Sequence, residues 1–473
     1  MSVKIHGWMV IGGLLFLSWV QRVSGQMPID LPRAIDLALT QNRELIKLAI
    51  AVESSRLSEE GARSEFAWTL RPTGFGGLGS EQDRLEYGLS VLKKYGWGTQ
   101  VQLNGNVIES RVPGLDDYNR GELNLNVEQP LFRNAGTLIN EEGIRLSESG
   151  VRASRRMLDL RKTDLIVQVA QSYEDIQRLA LQLEADEKSV QRLTKLIRLT
   201  QAREKQGRAS KVDTLRVELQ VGQASSRYQN SREQWLSTQQ DFADLLGLPL
   251  TNTFTLAATP LVSISVPDLD AAVTAALSNR MDYAQVLDDY RDVQRGVRIA
   301  RRRLLPDVRL VTRYGQVGDG ARVEDAFRLR DDEWFVGVRA QTDLPMRQEK
   351  TAYRQSMLDE QTAIENIQDA ESLVRRQVYQ QKLAYDRARA DILIAERNLN
   401  LAQNRLKLAK RMFEMGRGDN FAVSDSEDEY LKAEREYLRA QTEASVTGYR
   451  LLRVMGTLME YPPELKSVFL DQS

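Results

Sequence analysis

Two stretches of this chain contain no proline: residues 131–248 and 346–461, each about 117 residues long. Proline inside a helix removes a backbone donor and clashes with the preceding turn, at a cost of about 3 kcal/mol or more. Gaps of this length therefore leave room for very long helices, and the apolar spacing uses that room. In the second gap Tyr385, Ala388, Ile392, Ala395, Leu399, Ala402, Leu406, Ala409 and Phe413 recur at steps of three and four. That is the spacing of a coiled-coil seam, and its alanines let a partner helix come close. In the first gap Ile166, Val169, Tyr173, Ile176, Leu179, Leu183, Val190, Leu193 and Ile197 behave nearly the same way. Each gap is broken once, by KQGRASKVD and by EMGRGDNFAVSD. Each then reads as a helix of about 68 residues, a glycine turn and a return helix of about 36. At 1.5 Å per residue the long arm reaches about 100 Å, far beyond what a compact core needs.

The two gaps belong to copies of one unit. KQGRASKVDTLRVE aligns with EMGRGDNFAVSDSE at an offset that pairs Gly207 with Gly416. LPRAIDLALTQNREL at Leu31–Leu45 echoes LDAAVTAALSNRMDY at Leu269–Tyr283, and EQPLFRNAG at Glu128–Gly136 echoes DLPMRQEKT at Asp343–Thr351. Three matched segments in the same order indicate internal duplication. The division expected is a signal peptide over 1–25, one repeat over 26–260, a second over 261–460 and a tail over 461–473. Each repeat runs short helix, strands, proline, long helix, glycine turn, return helix. The short helices expected at about 33–65 and 270–303, added to the return helices, nearly equal one long arm. The two would therefore stack end to end against it.

Between short and long helices lie segments of period-two alternation. WFVGVRAQTD sets Trp334, Val336, Val338 and Ala340 against Arg339, Gln341 and Asp343; DVRLVTRY sets Val308, Leu310, Thr312 and Tyr314 against Asp307, Arg309 and Arg313. GELNLNVEQ sets Leu123, Leu125 and Val127 against Glu122, Asn124 and Asn126, and TQVQLNGNV sets Val101, Leu103 and Val107 against four polar residues. One apolar and one polar face result. A half-solvated sheet over a soluble core has this pattern, and so does an outer-membrane barrel with lipid outside and water within. Periodicity leaves both open. Four or so strands cannot close a barrel alone, because the smallest have about eight, so several copies would have to share one.

Composition narrows the function classes. The 473 residues carry a net charge of −1, which gives no footprint for nucleic acid. Mean hydropathy is −0.43, which excludes a bundle of membrane-spanning helices. Lys4 and His6, the apolar run Trp8–Val20 and then Val23-Ser24-Gly25 read as an export signal cleaved near Gly25. There is no cysteine, and His6 is the only histidine, so the exported chain would have neither. Thiolate zinc sites, His-ligated metals, histidine bases and Ser-His-Asp triads then fall away together. GFGGLG at 74–79 matches a dinucleotide-loop pattern without the strand-then-helix setting, and SEQDRLEYGLSV after it looks like another strand. No cofactor and no enzymatic activity are expected. An envelope hydrolase would need a converging acidic pair away from the helix turns, and none stands out.

With the duplication in place, LxxAIxLALxxN, QPLFRNAG, GRASKVD with FADLLGLP, and RVMGTL resemble the TolC-like outer membrane efflux protein family across essentially the whole exported chain. The resemblance implies an α+β membrane protein. Its very long coiled-coil hairpins and its strands would form a 12-stranded β-barrel, shared by a homotrimer in outer membrane lipid, and an α-helical tunnel across the periplasm. It also implies the exit duct of a tripartite efflux pump or type I secretion system, docked on a periplasmic adaptor and an inner-membrane transporter. The alternative is a secreted periplasmic coiled-coil scaffold without a barrel. Arg43 and Met281 stand where the family often has proline, and residues 70–118 offer more alternating pieces than the two strands it leads one to expect.

The segment GRGDNFAVSDSEDEY at 416–430 packs Asp425, Glu427, Asp428 and Glu429 together. It lacks the calcium-loop pattern, and a periplasmic helix end gives Arg417-Gly418-Asp419 no adhesion receptor. The resemblance places Asp425 in a ring of gate carboxylates, with Ala422 lacking the charge of a second ring and Gly418 standing where some members carry a latching arginine. The plainer reading is a solvated helix start, with carboxylates against the positive dipole end. Glu427, Asp428 and Glu429 read as solvated. Gly207, Asp213 and Gly416 are the expected adaptor-docking turns.

Overall fold

The computed structural model describes residues 29–79, 83–112, 117–207, 209–250, 254–257 and 267–458; the expected signal peptide and tail lie outside them. Two helices, α1 (Leu31–Gln41) and α2 (Arg43–Ser64), lead into four strands: β1 (Thr69–Gly77), β2 (Asp83–Lys94), β3 (Gln100–Arg111) and β4 (Tyr118–Pro130). A short α3 (Thr137–Asn140), the long α4 (Glu142–Lys205) and the return helix α5 (Lys211–Leu245) follow. The second unit runs α6 (Leu269–Asn279), α7 (Met281–Arg302), β5 (Asp307–Gly320), α8 (Val323–Ala326), β6 (Asp331–Gln341), α9 (Arg347–Glu414) and α10 (Asn420–Val454). The copies match in detail. Both α1 and α6 have 11 residues, α2 and α7 have 22, and α5 and α10 have 35.

The single short helices expected over 33–65 and 270–303 are each broken after their first three turns. Proline is not needed for the break. Asn42 takes extended angles, and its side chain accepts hydrogen bonds from the Glu44 and Leu45 N–H groups, so α2 starts afresh with its own cap. The Asn42 amide also donates to the Leu245 carbonyl at the end of α5, 3.0 Å away. This joins α5 end to end with α2, and both lie along α4. Their 35 and 22 residues together approach the 64 of α4, as the length matching anticipated. In the second unit α10 and α7 form the equivalent rod against α9, and α10 also packs on α4. The helical layer therefore runs α2/α5, α4, α7/α10, α9.

Glycines close both joints, Gly247 in the first unit and Gly456 (φ 72°) in the second. Gly247 has φ 73°, and a Cβ on it would sit 2.4 Å from the Gln41 carbonyl oxygen. Gly207 has φ 69° with nothing within 4 Å. Left-handed angles alone cost an L-residue about 1–2 kcal/mol. Gly207→Ala is accordingly expected to lower stability by about that amount and Gly247→Ala by clearly more, as thermal melts of the two variants would show.

The core at the first joint gathers Leu31, Ile35, Leu165, Tyr173, Phe242 and Leu246, all buried. Tyr173 is covered completely, and its hydroxyl donates to the backbone carbonyls of Ile29 and Ala257. Seam residues Tyr385, Ala388, Ala395, Leu406 and Phe413 are buried on α9 as their spacing predicted. The seam between α4 and α10 is instead polar, with Asp186 on α4 buried between Arg435 of α10 and Ser231 of α5.

All six strands form one antiparallel sheet in chain order β1 to β6. Four of them carry the quoted alternation, β2 was legible in RLEYGLSV, and β1 holds the GFGG glycines. The register shows how the alternating faces add up across the sheet. Leu70 pairs with Val91, Val91 with Leu103, Leu103 with Leu125, Leu125 with Tyr314 and Tyr314 with Trp334. Directly paired residues point to the same side, so one face is apolar across all six strands. The other face carries Ser90, Gln102, Asn104, Glu122, Asn126, Glu128, Arg309 and Arg313, linked by hydrogen bonds and ion pairs such as Arg313 to Asn126 and Arg309 to Glu128. The strands have 9 to 14 residues, enough to cross a bilayer at a tilt. Among the described residues no helix is long and apolar enough to cross one.

Candidate functional site: the free end of the helical hairpins

The two glycine turns lie side by side at the end farthest from the sheet. Each long helix ends in a glycine with left-handed angles, Gly207 after α4 and Gly416 (φ 72°) after α9, which lets the chain turn back within a few residues. Ser210 caps α5 by accepting from the Asp213 N–H, while the Asp213 carboxylate accepts from the Ser210 N–H. That capping box and the serine hydroxyl hold the Asp213 carboxyl below the usual range. At the equivalent place Asp419 caps α10 through the Ala422 N–H, so the acid of the Arg-Gly-Asp tripeptide is a helix cap. Asp213 completes the capping box of α5, and nothing within 4 Å crowds a side chain at Gly207 or Gly416.

The acidic cluster divides in three. Asp425 and Glu429 are half exposed and share the guanidinium of Arg405 on α9, with Asp425 at 2.6 Å. Bonding to Glu429 first, and then the nearby Asp425 charge, raises the Arg405 pKa. Asp428 faces Arg227 of α5 at 3.4 Å and is exposed. Glu427 corrects the sequence reading: it is 3% exposed and not solvated. Its carboxylate lies between Arg192 of α4 and Lys410 of α9, and desolvated charges of this kind persist only when paired. Beside it Asn420 donates to Thr200 at 2.9 Å, and Arg203 donates to the Phe413 carbonyl while lying 3.9 Å over that residue's ring. These contacts bind the first hairpin to the second at their tips. The signal for them was the arginine and threonine of α4 at positions 192, 200 and 203, which a seam reading assigns to solvent.

A groove of about 1100 Å³ runs between α9 and α10, lined by Ala388, Ala395, Ala402, Ala433 and Ala440, with Arg405 and Glu429 toward its tip end. Among the described residues no group of three or more acidic or histidine side chains could hold a metal ion. The tips thus hold caps, ion pairs and small residues, an arrangement for helix–helix contact and for placing charge.

No protein-family model matches the sequence, and no curated protein is significantly similar to it. Solved structures do match. The chain is similar to the Campylobacter jejuni outer membrane channel CmeC, at 13% identity and TM-score 0.70, over 97% of this chain and 94% of that one. It is similar to the Vibrio cholerae outer membrane protein VceC, at 16% and 0.69, over 90% and 96%. The Neisseria gonorrhoeae channel MtrE in its open state matches at 16% and 0.68, over 90% and 88%. The fold is that of the TolC-like outer membrane channels. The superposition takes in strands and hairpins together, so the TolC-like fold accounts for the long arms, the stacked rods and the sheet as one unit. At these identities the likeness speaks for the fold alone.

Proposed function

We propose that this chain is one protomer of a passive exit duct, anchored in the outer membrane of a Gram-negative cell by its sheet and reaching across the periplasm with its hairpins. The apolar face running unbroken over six strands carries this reading. A soluble scaffold would expose that face to water, whereas in a bilayer it meets lipid and the polar face lines a water-filled lumen. Trp68, Tyr95 and Trp97 gather with Lys93 at the helix-side end of the sheet, where an aromatic girdle meets the headgroups. The channels of similar fold support the assignment.

Oligomerisation follows from the flanks of the helical layer. On one side α2 and α5 expose Ile50, Leu57, Leu215 and Leu219; on the other α9 exposes Leu393, Leu401 and Leu408. Three copies closing flank to flank make a tube, a homotrimer. The glycine turns at its mouth dock an adaptor of the membrane-fusion type, which couples the duct to an inner-membrane transporter of an efflux pump or type I secretion system. Extraction tests the reading: the protein leaves membranes only with detergent, as three copies by mass. A protein that stays in the aqueous fraction would be a scaffold.

Asp425 lines the gate in this reading, although Arg405 offsets part of its charge. In planar bilayers Asp425→Ala is expected to weaken block by polyvalent cations and to lower cation preference severalfold. Arg405→Ala should strengthen both by releasing the Asp425 carboxylate, and Glu429→Ala should do little. If Asp425→Ala and Arg405→Ala leave block and selectivity unchanged, both residues are ordinary helix-surface groups and the gate lies elsewhere.

A further inference from the structure

We infer that the duct's barrel is built from eighteen strands, six from each of three copies, with β1 of one copy pairing to β6 of the next; this rests on the trimeric duct reading above. The sheet is open, and its two edges are β1 and β6, exposed at eight of nine and ten of eleven positions. Long flat edges with free N–H and C=O groups cannot be left bare, least of all in lipid. Their directions suit each other. β1 leaves the helical layer at the end of α2 and β6 returns to it at the start of α9, so an antiparallel ladder forms when copies close into a ring. These edges continue the exposed flanks of α2/α5 and α9, so one closure satisfies sheet and helices together.

The widths agree. Six strands about 4.8 Å apart and tilted about 40° occupy about 38 Å of circumference. Four helical rods packed 8–10 Å apart occupy about 32–40 Å. Four strands would cover only about 25 Å of the same arc. Eighteen strands give a backbone diameter of about 36 Å, against about 24 Å for the twelve implied by the family resemblance. The additional pair is β2 and β3, the two strands that no helix enters or leaves. They are built into the wall. Their turn is closed by Tyr95 and Thr99, Trp97 accepts from the Gly136 N–H at 2.9 Å, and Gly98 (φ 101°) presses against Pro130 and Asn134.

The chain has no cysteine, so introduced pairs report cleanly. Arg71→Cys with Ser90→Cys, cross-strand partners on the polar face, should link within one chain. Thr69→Cys with Gln341→Cys, both where the strands meet the helices, should link neighbouring chains into a covalent trimer. Removing residues 83–111 joins β1 to β4 and leaves four strands per chain. The largest neutral polyethylene glycol that enters from the barrel side of the bilayer should then shrink in diameter by more than a third, because the lumen loses about 12 Å while its side-chain lining keeps its thickness. Three copies by mass with an unchanged polymer limit, or failure of the Arg71/Ser90 pair to link, would place β2 and β3 outside the wall and overturn the inference. Two copies by mass would overturn the trimer reading itself, leaving a twelve-stranded dimer. Should the shortened chain not fold, the cysteine pairs decide on the full-length protein.

Discussion

Replacing Arg192 with alanine is expected to unfasten the free end of the hairpins. Glu427 is nearly fully buried, and its remaining partner would be Lys410 at 3.5 Å. Removing one member of a buried ion pair costs about 3–5 kcal/mol, because the charge left behind is desolvated and underpaired. Glu427→Ala should cost less, since Arg192 and Lys410 are both partly exposed and can turn to water. The double variant should be more stable than the sum of the singles implies, which a double-mutant cycle on thermal melts measures. Because this carboxylate ties α4 to α9 and α10, both single variants should also raise protease cleavage at the turns near 207 and 416. Equal and small losses for the two singles would mean that the pair is solvated and holds nothing together.

The second large effect is on export. Gly207→Leu with Gly416→Leu adds two bulky side chains where none is now within 4 Å, so the turns accept them at the modest cost of left-handed angles. Contact with an adaptor's helical ends needs the opposite, close approach of backbone to backbone. Export of the cargo should fall to background while copies still assemble and reach the outer membrane at normal levels. Normal export at normal protein levels would remove these turns from the docking surface.

How much of this was legible in the sequence can be followed residue by residue. Absence of proline and the seam from Tyr385 to Phe413 marked out α9 and α10 nearly to the residue, since a long helix is dictated by local spacing. The break at Asn42 was not visible, because it depends on a side chain capping one helix while bonding to Leu245, about two hundred positions away. β1 was obscured by Pro72 and its glycines, which lack side chains to alternate; its pairing with β2, from Thr69 with Leu92 to Gly77 with Arg84, shows the register. Glu427 was read as solvated because its own helix carries no partner for it, and Arg192 comes from the other hairpin. Gly207, Asp213 and Gly416 were found by repeat alignment, which detects shared geometry and leaves their partners to experiment.

The central claim is that copies of this chain form a water-filled passage through a bilayer, and conductance tests it most directly. Protein extracted in detergent and added to a planar lipid bilayer should give discrete, stepwise current increases of one unit size, each marking the insertion of one assembled duct. A preparation that remains assembled, carries its hairpins intact and yet never raises the current above that of the bare bilayer would contradict the account.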